Sequence, residues 1–155
     1  MTLLTPEERL EQLGLVLPDP PTPAAAYVPY QRTGEVIHVS GQIAMADGAL
    51  LARGRVGEDV AHDDAVACAR QCALNVLAQL RAAAGQLRHV RRLVKASVFV
   101  ASHPDFTDQH LVANGASELL ADVLGDAGVH ARSAVGVAAL PMGSPVEVEA
   151  VAEIA

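Results

Sequence analysis

Two side chains near the C-terminus are suited to handling a small carboxylate. Arg132 opens the alternating run Arg132 to Leu140, and Glu147 begins the alternation of the closing stretch Pro145 to Ile154. A guanidinium grips a carboxylate through two parallel N–H bonds, and a carboxylate can hold water and take its proton. The spacing predicts two strands joined by a reverse turn at Pro141-Met142-Gly143-Ser144, whose pairing would put both groups in one neighbourhood. An arginine and a glutamate on paired strands are more often a solvated ladder pair than a site, so spacing alone assigns no function. Glu149 shares the face of Glu147 by the period of two, so one of these carboxylates can be simply exposed.

The remaining polar residues point to no other chemistry. His38, His62, His89, His103, His110 and His130 form no HExxH and no pair at a ligand spacing, so no metal is expected. Cys68 and Cys72 lie four apart in a helical pattern and read as reduced, small core residues on one face. Ser40-Gly41-Gln42 closes a strand, where glycine marks a bulge or a close backbone approach rather than a phosphate loop. Ser40, Ser97 and Ser133 lack the elbow motif of a nucleophilic triad. Tyr27, beside a proline-rich stretch, reads as a packing residue with a wet hydroxyl.

Composition narrows the partners. Eighteen acidic against eleven basic residues give a net charge of −7, which repels a phosphate backbone, and two Tyr, two Phe and no Trp leave little to stack bases on. No nucleic acid is expected. Every apolar run is broken by charge well short of a membrane span, and the first residues carry Glu7, Glu8 and Glu11 where a secretory leader would be basic and then apolar. The expectation is a cytoplasmic protein that does not meet a membrane. At 155 residues with 51% hydrophobic side chains, it has the make-up of one globular domain.

The elements that must position Arg132 and Glu147 follow from local pattern. Thr5-Pro6-Glu7-Glu8 is a capping box that starts a helix over about 6–13, which would dock through Leu10, Leu13 and Leu15. Leu17 to Ala26, with four prolines, is a stiff connector, so residues 1–26 precede a single domain over 27–155. Tyr27 to Arg32 and Val36 to Ser40 form a hairpin about Thr33-Gly34-Glu35, and Asp47-Gly48 offers a second tight turn. The apolar spacing changes to about 3.6 from Asp63 to Ala84, giving a long helix closed by Gly85. Leu93 to Ala101 is a central strand, and a second helix runs from about Phe106 to Leu124, weakened by Asn114-Gly115. This order predicts an α+β fold, a mixed sheet with two helices packed on one face.

Several stretches then point to a family. Tyr27-Val28, Val39-Ser40-Gly41-Gln42-Ile43, Ala69-Arg70-Gln71 with Asn75-Val76, Val94-Lys95 to Val100, and above all Arg132-Ser133 with Val135, Val137, Leu140-Pro141 and Val146-Glu147-Val148-Glu149-Ala150-Val151-Ala152 closely resemble the RidA/YjgF family of reactive-intermediate (imine) deaminases. The likeness covers about Tyr27 to Ile154 in unbroken order.

The resemblance implies a chorismate-mutase-like fold, a homotrimer with clefts between subunits, and cofactor-free hydrolysis of enamines and imines. The family's carboxylate-binding arginine falls on Arg132, its water-positioning glutamate on Glu147 and its cleft tyrosine on Tyr27. The glycine lining the cleft falls on Gly41, and the residue offering backbone polar groups on Ala134; Asn114 joins the substrate-binding set. The expected substrate is a small molecule bearing a carboxylate, and Glu147, partly buried, would have a raised pKa. The chain departs from the family at Ala25-Ala26, where Gly-Pro is usual, at Gly115 and Ser117, where bulkier and aromatic residues are common, and at Asp108 to Leu111, which reads as a short insertion. These departures imply a reshaped pocket. The leading alternative is a non-catalytic trimer that binds a keto acid or an amino-acid-like ligand; a ribonuclease conflicts with the charge.

Overall fold

The computed structural model describes residues 3–155. The chain enters through α1 (Pro6–Gln12), where the Thr5 hydroxyl accepts from the Glu8 amide and the Glu8 carboxylate accepts from the Thr5 amide. The capping box is therefore complete. Leu10 and Leu17 join the same hydrophobic cluster as the sheet and helices, whereas Leu13, expected to dock, stays 42% exposed. The connector that follows is tied down at its carbonyls: Arg81 donates to Pro18 and the buried Gln79 donates to Pro21 at 2.8 Å.

β1 (Tyr30–Thr33) and β2 (Val36–Ile43) form the expected hairpin about Gly34. Asp47 and Gly48, both at positive φ, close a small separate hairpin of β3 (Met45–Ala46) and β4 (Ala49–Leu50). Then come α2 (His62–Ala84), β5 (Val90–Ala101), α3 (Gln109–Leu124), β6 (Ala131–Val137) and β7 (Val146–Ile154). The main sheet has the order β1-β2-β7-β5-β6, with β5 and β6 parallel and the other pairs antiparallel.

This order corrects the expected pairing of the last two strands. β6 and β7 do not touch as neighbours, because β5 lies between them. The chain leaves β5, passes through α3 and returns parallel to it, so β6 takes the outer edge, and the Pro141 to Ser144 turn crosses over to the far side of β5. A parallel return needs such a crossover, and α3 supplies it. Boundaries differ too: β1 starts at Tyr30, β2 runs on to Ile43 and β5 starts at Val90. β6 ends at Val137, and α3 begins at Gln109, whose side-chain amide donates to the Phe106 carbonyl at 2.6 Å and so occupies the acceptor that an earlier start would use.

The period of two sorts β7 onto two faces. Val146, Val148, Ala150, Ala152 and Ile154 are buried on the face that α2 covers, while Glu147, Glu149 and Glu153 point to the opposite side. The same opposite face carries Phe99, Ser97 and Val135 by register, and among the described residues no helix covers it. Cys68 and Cys72 are buried free thiols on the core stripe of α2. Among the described residues no helix is long and apolar enough to cross a membrane.

Asn114-Gly115 does not break α3. A Cβ at Gly115 would run into the backbone carbonyl of Val66, so this glycine sets the close approach of α3 to α2. Gly→Ala inside a helix normally stabilises by roughly 1 kcal/mol. Here the sign reverses: Gly115→Ala is expected to destabilise by about 1–3 kcal/mol through overpacking. Denaturant unfolding of the two proteins checks it.

Candidate functional site

Glu147 owes its position to an irregularity in the neighbouring strand. The β2–β7 register shifts between Val39 and Gln42, and Gly41 sits in that bulge beside the Glu147 carboxylate. A Cβ on Gly41 would collide with the Glu147 Oε1 atom, so only glycine leaves room for this rotamer. Ser40, next in the bulge, donates its hydroxyl to Val28 at 2.7 Å and its amide to Pro29 at 2.9 Å. These two bonds bring Tyr27 to the same cleft, half-exposed at its rim. The connector, Pro21 to Ala24, lines the cleft as a wall, and Met45 and Met142 line it too.

Glu147 is half-buried, and none of the described side chains pairs with its carboxylate. Burial pushes its pKa above the ordinary value of 4.5, and repulsion from Glu149 adds to the rise. A carboxylate so placed holds a proton more readily than a solvated one, as a group that shuttles protons to and from water must. The nearby thiols are inert by the same physics. Burial raises Cys68 to about 11 and Cys72 further, so neither forms a thiolate near neutral pH.

Arg132 belongs to a second cluster. It lies on β6 opposite Ala96, on the helix-covered face, and its guanidinium is docked against α3. Nη1 donates to Asn114 Oδ1 at 3.0 Å and to Ser117 Oγ at 3.2 Å, and Nη2 donates to the His110 carbonyl at 3.0 Å. Three of the five N–H donors of an arginine are thus engaged. The two left over sit on Nε and Nη2, neighbouring nitrogens able to present a fork to one carboxylate. Ser117 is itself oriented by His130, whose Nε2 lies 2.9 Å from the hydroxyl while Nδ1 lies 2.6 Å from the Gly128 carbonyl. A carbonyl only accepts, which puts the imidazole proton on Nδ1 and leaves Nε2 to receive the Ser117 O–H. The serine lone pairs then face Arg132.

Tyr27, Gly41 and Glu147 therefore meet in one cleft, and Arg132 and Asn114 in another place. Ala134 follows two residues after Arg132 on the same face of β6, half-buried against the core. One chain does not bring Arg132 and Glu147 together. Register puts Arg132 level with Ala150, so Arg132 and Glu147 are separated by two inter-strand spacings, roughly 10 Å, and by three residues along the strand, also roughly 10 Å, and they face opposite sides of the sheet. The expected neighbourhood failed because it required β6 to pair with β7. Ser117, His130 and Met142 were not foreseen as site residues. For Ser117 a signal existed, the i,i+3 spacing from Asn114, whereas His130 reaches it only through tertiary packing.

Comparison with known proteins decides the family. Residues 7–154 match the family model described as "YjgF/chorismate_mutase-like, putative endoribonuclease". The chain belongs to this YjgF-like family. Within the family it is 47% identical over 146 residues to Protein TCP17 of Trypanosoma cruzi, covering 94% of this chain and 91% of that one. It is also 47% identical to the Agrobacterium tumefaciens protein Atu1372, of unknown function, with a TM-score of 0.90 over 97% of this chain and 94% of that chain. The E. coli protein TdcF, solved with bound serine, is 26% identical with a TM-score of 0.64, covering 87% of this chain and 93% of that chain. The first two matches span 94% and 97% of this chain, and the match to TdcF spans 87%.

The contact between Gly41 and Glu147 is open to a direct measurement. Gly41→Ala is expected to destabilise by about 1–3 kcal/mol, the usual range for overpacking a tight site. Most of that loss should vanish in a Glu147→Ala background, since the methyl group then finds space. Additive effects in the double-mutant cycle would show that the two residues do not press on each other.

Proposed function

We propose that this YjgF-like chain is a subunit of a cofactor-free homotrimer that hydrolyses 2-imino acids and their enamine tautomers to 2-keto acids and ammonia. The observation that carries this is the pairing of two incomplete half-sites on one chain: a guanidinium with two adjacent free donors, and an unpaired, half-buried carboxylate with raised pKa. They lie on opposite faces of the sheet, so a complete site needs Arg132 of one subunit and Glu147 of the next. The uncovered face that carries Glu147, with Phe99 and Val135, is the surface where the second copy would sit.

In this scheme the substrate carboxylate takes the Nε and Nη2 donors of Arg132, whose orientation is already fixed by Asn114, Ser117 and His110. A protonated C=N carbon is electrophilic, so water needs placement and a base. Glu147 holds the water, takes one proton as the C–O bond forms, and passes it to the nitrogen of the carbinolamine. The C–N bond then breaks with its electron pair going to nitrogen, the regenerated Glu147 carboxylate takes the hydroxyl proton as the carbonyl forms, and ammonia and the keto acid depart before Glu147 returns that proton to solvent. Tyr27 and the backbone of Gly41 border the reacting carbon. The alternative, a trimer that binds such ligands without turnover, draws on the serine bound to TdcF.

Two variants separate these functions. Glu147→Gln is expected to abolish ammonia release from an imino acid generated in situ by an amino-acid oxidase, while a 2-keto acid still binds. Arg132→Ala is expected to lose both, because a charge-assisted fork is worth roughly 1.5–3 kcal/mol or more. Wild-type turnover in either variant, or no acceleration by the wild type, overturns the assignment. Light scattering at micromolar concentration should give the trimer mass.

The raised pKa sets a sign for pH. Glu147 works as the carboxylate, so the acid limb of kcat/KM should lie above the ordinary carboxylate range, and Glu149→Gln should move it down by removing a repulsion. Stability runs the other way. A folded-state pKa above the unfolded one gives a contribution that is complete below the ordinary range and lost as pH rises through the folded value. Glu147→Gln should therefore melt higher than the wild type at neutral pH.

A further inference from the structure

Among the described residues, Met142 is one of two other than glycine held at positive φ, with φ 61° and ψ 8°. L-residues with long side chains rarely adopt this conformation, and glycine would adopt it freely. The strain is maintained by its surroundings. Arg53 donates to the Met142 carbonyl at 2.7 Å, Gly54 donates to the Gly143 carbonyl at 2.9 Å, and the buried Ser144 hydroxyl accepts from the Ala44 amide and donates to the Val146 carbonyl. The outcome is a methionine side chain, 51% exposed, standing at the rim of the Glu147 cleft.

The rest of that cleft has the same character. Met45, Ile43, Pro21 and Pro23 line it, and among the described residues Glu147 is the sole charged one that does. The proline wall is fixed from below by Gln79, fully buried, which donates to the Pro21 carbonyl. A 2-imino acid carries its side chain on the carbon that water attacks. If Glu147 holds that water, the side chain lies within one bond of the reacting atom and must enter this apolar space.

We propose, resting on the imine-hydrolase reading above, that the site selects imino acids with extended apolar side chains and that Met142 is the specificity-determining residue. The thioether is unbranched and adaptable, so it can close over chains of different shape. An acidic side chain would meet Glu147, and a hydroxymethyl group would leave the apolar walls unfilled.

The test compares imino acids made in situ from leucine, methionine, serine and glutamate, with parallel calorimetry of 4-methyl-2-oxopentanoate and 2-oxoglutarate. The leucine- and methionine-derived imines are expected to be hydrolysed with kcat/KM at least about tenfold above the serine- and glutamate-derived ones, as one or two buried methylenes allow. Met142→Gly should shrink that ratio several-fold with no loss of melting temperature, since glycine suits the backbone. Equal turnover of all four imines, or a preference unchanged in Met142→Gly, overturns the inference and leaves the hydrolase intact. Absence of turnover with tighter binding of 4-methyl-2-oxopentanoate, weakened in Met142→Gly, supports the selective pocket and removes the hydrolase. Neither turnover nor selective binding removes both.

Discussion

A carboxylate held half-buried with no cation beside it is costly, and much of this structure is arranged around keeping Glu147 in that state. Gly41 gives up its side chain so that the carboxylate can lie against the β2 bulge. The bulge is in turn pinned by Ser40 to the chain ahead of β1. On the other side of the sheet β7 is among the most thoroughly buried elements, with Val146 and Val148 both 0% exposed on either side of Glu147 in sequence. The strand cannot slip to relieve the carboxylate, because a one-residue shift would put three glutamates into the core. Backbone register thus enforces a side-chain environment that local electrostatics would not choose.

Arg132 illustrates the opposite economy. Its guanidinium is anchored before any ligand arrives, by Asn114, Ser117 and a main-chain carbonyl of one helix. A flexible arginine loses rotamer entropy when it closes on a ligand; this one has lost most of it on folding, so less of the binding energy is consumed in ordering it. Ser117 acts in this way through a small hydroxyl that reaches Nη1 from α3.

Much of this fold could be read from the sequence because its elements are strongly periodic. The apolar stripe through Ala65, Cys68, Ala69, Cys72, Val76 and Leu80 gave α2 nearly to the residue, and the capping box gave the start of α1. What could not be read was which strands pair. Pro141-Met142-Gly143-Ser144 has the composition of a hairpin turn, and nothing in its residues reveals that β5 will occupy the space between the strands it joins. The error carried directly into the site, since a β6–β7 ladder would have put Arg132 and Glu147 in one cleft. The resemblance to the family pointed to Arg132 and Glu147, but it could not show that one chain keeps them apart. Ser117 and His130 escaped for a related reason: their contact exists only when α3 lies across β6.

The connector shows how a local rule acquires meaning from its contacts. Four prolines between Leu17 and Ala26 predict an extended path that offers few amide donors, and a chain of this kind usually lies on the surface without commitment. Here its free carbonyls are the useful feature. Proline keeps its C=O, and two of these accept from Gln79 and Arg81 on α2. Gln79 is wholly buried, and its Oε1 has no partner among the described residues, so it retains a polar cost that a leucine would avoid. A helix that kept such a residue only for its own stability would be poorly composed. Gln79 makes sense as a strut, fixing the height of the proline wall over β2, and with it the width of the cleft in which Glu147 stands.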